Sequence, residues 1–302
     1  MVNLRDLRYL VALADERHFG RAAKRCFVSQ PTLSAQIRKL ERYLGVSLVE
    51  RQPRRVALTP AGQEVVERAR RVLQESDAIV DLAQSARDPL AGQLRVALIP
   101  TVGPYLLPRV APALQRDLPK LKLLLYEYQT GPLLERLRVG ELDVGVLALP
   151  VVPMDGLEST VLYEEPFALA VPDSHRLAAR KHVGIDDLRD ETLLLLEDGH
   201  CLRDQALEVC SHVDVHEAQD YRATSLETLR QMVAAGHGVT LLPELAIAAP
   251  IGVTRGLEIR PFDAPAPSRT IGAVWRKSTT RSAAIAAIAD TVRGVLREDK
   301  NQ

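Results

Sequence analysis

Two of the three cysteines in this chain lie in one short stretch, EDGHCLRDQALEVC, at residues 197–210. The residues between Cys201 and Cys210 favour helix, with Asp198 and Gly199 placed to start it. Nine helical steps of about 1.5 Å and about 100° put the two side chains roughly 13.5 Å apart, on opposite faces. A disulfide needs Cα atoms within about 7 Å, so these thiols can bond only if part of the segment unwinds and repacks. Such a bond would be a two-state switch. Cys201 also has the surroundings of a reactive thiol. It falls in the first turn, at the positive dipole end, with His200 and Arg203 close in sequence, and each feature lowers a thiol pKa. A thiolate attacks a peroxide to give a sulfenic acid, and a second thiol condenses with that acid. The residues alone leave a plainer alternative open, with Cys210 a small buried hydrophobe and Cys201 an ordinary helix-start residue.

These side chains need a scaffold. The 302 residues suffice for about two domains. A composition 46% hydrophobic and 26% charged suits a globular core. The charged start, MVNLRDLRYL, does not read as a secretory signal, and no apolar run reaches the roughly 18 residues of a membrane span. Three cysteines argue against a disulfide framework and fit a reducing, cytoplasmic setting. No phosphate-binding loop, dinucleotide fingerprint or metal-ligand cluster is evident. The expectation is therefore no cofactor and no metal.

Charge is unevenly spread. Residues 1–60 hold twelve Lys/Arg against five acids, or +7, and the remainder carries −7. A basic end on an acidic body suggests a polyanion-binding head, although a solvated basic face would look the same. Leu4, Leu7, Leu10, Val11 and Ala14 mark a first helix, and FGRAAKRC a second. Ser29 then caps a third, with Pro31 in its first turn, a stripe of Leu33, Ile37, Leu40 and Leu44, and Gly45 as its stop. This is a helix-turn-helix whose exposed face offers Gln30, Pro31, Thr32, Ser34, Gln36 and Arg38 to base edges and phosphates. Next, LVERQPRRVAL reads as a wing with Arg51, Arg54 and Arg55 at its tip.

From Pro60 to Ala86 the pattern is one long helix. Val66, Leu73 and Val80 repeat every seven residues, with Ala69, Ser76 and Ala83 three residues after each and Val65, Val72 and Ile79 alongside. That is a coiled-coil seam for a second copy of the chain, or else a face packed on the chain's own body. RDPLAGQ, residues 87–93, reads as a hinge. Apolar strands then alternate with helices, starting at LRVALIP and LKLLLYEYQ, which predicts an α/β domain with a parallel sheet. Ligands of such a fold sit at the C-terminal ends of strands, where Thr101 and Thr130 follow the first two.

The stretch HFGRAAKRCFVSQPTLSAQIRKLERYLGVSLVERQPRRVALTPAGQ resembles the N-terminal domain of LysR-type transcriptional regulators, densely over about sixty residues. The resemblance implies an α/β C-terminal two-lobed periplasmic-binding-protein-like domain, plus an N-terminal all-α winged helix-turn-helix with a linker helix. The implied boundaries are 1–59 for the winged head, 60–86 for the dimerising linker helix, 87–93 for the hinge and 94–302 for the regulatory domain. Lobe I would cover about 94–164 and 267–302, and lobe II about 165–266.

Within that family, GHCLRDQA resembles the redox loop of peroxide-sensing members. By that resemblance Cys201 reacts with hydrogen peroxide and Cys210 is its disulfide partner. Thr101, Thr130, His200, Arg203 and Arg269 would bind or activate the peroxide, and Asp204 would hold Arg203. Cys26 is read as core packing in the head. The function implied is non-enzymatic: a cytoplasmic activator or repressor on a double-stranded DNA operator. It would be a homodimer through the linker helix, paired into homotetramers, and reset by a thiol reductant system. Two other readings stay open. One is a LysR-type regulator induced by a small metabolite in the inter-lobe cleft. The other is a thiol enzyme, which the DNA-binding head disfavours.

Overall fold

The computed structural model describes residues 2–52, 55–85, 88–248 and 254–300. The chain divides into two compact units, Met1–Ala86 and Arg87–Gln302.

The first unit is built from α1 (Leu4–Glu16), α2 (Phe19–Arg25), α3 (Gln30–Leu44), β1 (Val49–Gln52), β2 (Arg55–Leu58) and α4 (Pro60–Ser85). Its helix ends follow local chemistry. The Asn3 side chain accepts from the Asp6 N–H, and the Ser29 hydroxyl accepts from the Thr32 N–H, satisfying donors that the helix leaves unpaired. Gly45 ends α3 in the left-handed region at φ 73°. Leu10, Leu13, Leu33, Ile37, Leu40 and Leu48 form the core. β1 and β2 pair antiparallel as the wing. Gly62 on α4 lies against the Leu48 carbonyl, where a Cβ would come within 2.0 Å of the oxygen.

The seam read along α4 is only partly free. Val66 and Ala69 are buried, and Val66 belongs to the head's own core. Among the described residues, the large apolar side chains of α4 left in solvent are Val72, Ile79 and Val80, at 46%, 69% and 54% exposure. Periodicity reported the stripe correctly, but α1 takes up its first turn.

The second unit begins with β3 (Gly92–Leu98), α5 (Gly103–Asp117), β4 (Leu121–Glu127), α6 (Thr130–Arg138) and β5 (Val144–Leu149). β6 (Leu157–Pro172) leads through a short 3-10 turn, Ile185–Leu188, to β7 (Thr192–Leu196), α7 (Cys201–Val209), β8 (His216–Ala223) and α8 (Leu226–Ala234). β9 (Thr240–Pro243), α9 (Glu244–Ala248), β10 (Leu257–Pro261), β11 (Ser268–Arg276) and α10 (Ser282–Lys300) complete it. The first strand starts at Gly92, so the last two residues of the segment read as a hinge are already sheet.

The sheet is mixed rather than parallel. β3 pairs in parallel with β4 and β5, but β11 returns antiparallel between β5 and β6. β6 joins two lobes. Its residues from Leu157 to Pro166 pair with β11, while Phe167 to Pro172 pair with β9 and β10. Each lobe has its own apolar core. One gathers β3, β5, α5, α6 and α10, and the other gathers β7, β9, α7 and α8. No helix among the described residues is long and apolar enough to cross a membrane.

Candidate functional site

The site forms where α7 of lobe II leans on lobe I. Gly199, at φ 95°, takes a left-handed turn that other residues adopt only with strain, and the helix starts two residues later. Cys201 is the first residue of α7 and Cys210 caps its end, with both thiols free. The two belong to different cores. Cys201 packs against the apolar cluster of lobe I, and Cys210 is buried in that of lobe II.

The Thr130 hydroxyl, the Ala148 N–H and Arg269 lie near enough to the Cys201 sulfur to favour its charged form, and the Thr130 hydroxyl is itself buried with no hydrogen-bond partner among the described residues. Thr130 is the first residue of α6, and Ala148 lies on β5. Burial nevertheless outweighs these groups and pushes the thiol above its ordinary value. This reverses the sequence expectation of a lowered value. Burial alone pushes Cys210 up to about 11.

Arg269 is wholly buried and fully engaged. Its Nε donates to Glu165 Oε2 at 2.8 Å, its Nη1 to Thr101 Oγ1 at 3.0 Å and its Nη2 to the Thr101 carbonyl at 2.9 Å. Glu165 also accepts from the Leu245 N–H at 2.9 Å, so one carboxylate joins the site to α9 of lobe II. The structure places Thr130 and Arg269 near Cys201, with Thr101 joined to them through Arg269. It adds Glu165 and the Ala148 N–H, which sequence reasoning missed.

His200 and Arg203 are placed differently from expectation. His200 is buried just before α7, and burial holds its imidazole below the usual histidine range, against the opposing pull of Glu197 and Glu127. Burial thus works against its serving as a cation beside the thiol. Arg203 turns to Asp198 at 3.0 Å and Glu217 at 2.8 Å. Its holders are those two carboxylates, and Asp204 acts on it only through its charge. No group of three or more potential metal ligands occurs among the described residues.

In the head, Gln30, Pro31, Thr32 and Arg38 are exposed along α3. The Ser34 hydroxyl accepts from Arg38 at 3.3 Å, and the Thr32 hydroxyl sits 2.7 Å from that of Ser29. The wing arginines fall at the margin of the description. Arg51 and Arg55 lie on β1 and β2 by their backbone, and their side chains and Arg54 lie outside the described residues.

Two families match the chain. One, described as the LysR substrate binding domain, matches residues 87–297, and the other, described as a bacterial regulatory helix-turn-helix protein of the lysR family, matches residues 4–63. The hydrogen peroxide-inducible genes activator of Dickeya chrysanthemi is 49% identical over 97% of this chain and 95% of its own. The DNA-binding transcriptional dual regulator OxyR of Escherichia coli (strain K12) is 48% identical over the same shares. A solved structure of a full-length OxyR variant from Pseudomonas aeruginosa aligns with a TM-score of 0.73 at 43% identity, covering 97% of this chain and 98% of that one.

Proposed function

The chain belongs to the LysR family of bacterial regulators, and from that membership we propose that it is a DNA-binding transcriptional regulator that senses hydrogen peroxide through Cys201. The observation that carries this reading is the placing of the two thiols. They sit at opposite ends of one short helix, and the first lies beside Thr130 and in the field of the buried Arg269, which Thr101 holds.

The chemistry needs no cofactor. The Cys201 thiolate attacks one peroxide oxygen, an S–O bond forms, the O–O bond breaks, and hydroxide leaves and is protonated to water. Arg269 stabilises the sulfur anion, and Thr130 with Thr101 orients the peroxide. Cys210 sulfur then attacks the sulfenic sulfur of Cys201. An S–S bond forms, the S–O bond breaks, and a second water leaves. Two electrons have passed from two thiols to one peroxide. Arg203 holds the start of α7 through Asp198, and His200, buried beside Cys201, would help to orient the peroxide. A dithiol reductant returns the pair to its resting state.

Because the thiols cannot meet across an intact α7, the disulfide forms only as the helix unwinds. The refolded segment changes how lobes and copies pack. A homodimer joined through Val72, Ile79 and Val80 of α4, and a tetramer of two such dimers, would then hold the heads at a new spacing on an operator of double-stranded DNA. Gln30, Pro31, Thr32, Ser34 and Arg38 read the operator, and Arg51, Arg54 and Arg55 hold its backbone.

Peptide mass spectrometry of the reduced protein, run without reductant after about one equivalent of hydrogen peroxide, tests this. A linked Cys201–Cys210 peptide that thiol reverses is the expected result. Unmodified cysteines would refute the reading.

A further inference from the structure

Glu165 and Arg269 are paired residues of β6 and β11, at the point where β6 passes from one lobe to the other. Their side chains are 1% and 0% exposed, and Arg269 Nη2 lies 2.7 Å from Glu165 Oε2. We propose that Glu165 is a positioning residue that sets the sensitivity of the thiol sensor: by neutralising Arg269, it presents the guanidinium to Cys201 as one end of a buried ion pair and not as a free cation. The inference rests on the reading of Cys201 as the sensing thiol.

A guanidinium stays charged at any working pH. In a water-poor site its field on a neighbouring sulfur is strong, and a carboxylate in direct contact cancels much of it. The groups bearing on Cys201 are Arg269 from β11, Thr130 from α6, the Ala148 N–H from β5 and Asp204 from α7 itself. Beside the ion pair stands Tyr163 of β6, whose hydroxyl is buried without a hydrogen-bond partner among the described residues and feels both Glu165 and Arg269. Arg269 is thus the cation acting on the thiol, and it is already neutralised. Thr101 holds the guanidinium by two further bonds, so removing the carboxylate leaves the cation aimed where it was. A thiol facing an unpaired guanidinium ionises more readily and reacts faster. Glu165 thereby keeps Cys201 mostly protonated at rest.

The test is the pH profile of Cys201 alkylation by iodoacetamide in the reduced full-length protein, with peptide mass spectrometry reporting each cysteine. Glu165→Gln should lower the midpoint by about one pH unit and speed alkylation at pH 7 about ten-fold, with Glu165→Asp staying near the wild type. An unchanged or raised midpoint in a folded Glu165→Gln protein overturns the proposal. Should that variant fail to fold, Glu165→Met/Arg269→Met decides, because apolar residues of similar volume commonly replace a buried ion pair without loss of the fold. Removing a neutral pair should move the midpoint by less than about half a unit, whereas a rise above about one unit means that Arg269 acts unneutralised. Failure of wild-type Cys201 to react with peroxide would instead sink the sensor reading, and leave the alkylation result standing.

Discussion

Cys201 and Cys210 bound a single helix yet belong to two cores, the first packed on lobe I and the second sunk in lobe II. Oxidation cannot join them without taking at least one out of its core. The reduced state is therefore held by apolar packing at both ends of α7. The proposed Cys201–Cys210 switch would therefore have an energetic threshold as well as a chemical one.

If helix opening limits the second step, weakening α7 should quicken disulfide formation without touching the first step. Glu208 is exposed near the C-terminal end of α7. Glu208→Gly costs the helix about 1 kcal/mol, which raises the opened population roughly five-fold. Rapid-quench trapping of the sulfenic acid should show it forming at the wild-type rate and decaying about five times faster. An unchanged decay would show that opening is not limiting.

Burial pushes the Cys210 thiol up to about 11, from an ordinary 9.0. A thiol whose folded value is raised stabilises the fold fully below its unfolded value, and that stability is lost as pH rises through the folded one. Denaturant unfolding of the reduced protein should therefore lose about 2 to 3 kcal/mol between pH 9 and pH 11 beyond what Cys210→Ala loses. Equal pH slopes for the two proteins would contradict it.

Much of this was legible in the sequence, for identifiable reasons. The helices of the head announce themselves through Ser29, Pro31 and Gly45, because caps and stops are local. The strand-and-helix alternation of the second unit is likewise local, but the antiparallel return of β11 depends on pairing across more than a hundred residues. Glu165 could not be told from Glu164. Register alone turns the first into the core against Arg269 and leaves the second exposed, where it accepts from the Thr270 hydroxyl. Arg203 misled for a simple reason. Nearness in sequence is not nearness on a helix, where residues two apart do not face each other. His200 misled because burial, invisible in the sequence, disfavours its charged form.

Among the described residues the Thr130 hydroxyl is buried with no hydrogen-bond partner, and it lies near enough to the Cys201 sulfur to favour its charged form. Thr130→Val keeps its shape and removes that hydroxyl, whose hydrogen bond to the thiolate would be worth about 0.5–1.5 kcal/mol, or more for a charged acceptor. The thiol midpoint should rise by up to about one unit, and the second-order rate with hydrogen peroxide at pH 7 should fall about ten-fold. Stopped-flow tryptophan fluorescence, using Trp275, or direct thiol counting would measure it. A wild-type rate would show that the bond contributes nothing to reactivity.

The exposed apolar stretch of α4 has to be covered, and a second copy of the same helix is the partner its spacing suits. Ile79 is 69% exposed, so Ile79→Asp removes no packing within the chain and should leave the melting temperature of the monomer unchanged. In a dimer the same substitution sets two carboxylates into an apolar seam, where neither finds a partner, and the cost is several kcal/mol. Sedimentation at micromolar concentration should show the wild type as a dimer or tetramer and the variant as a smaller species. Operator binding should weaken with it, since two heads held together gain a large effective concentration over two that bind alone. A variant that still sediments as the wild type would place the dimer contact elsewhere.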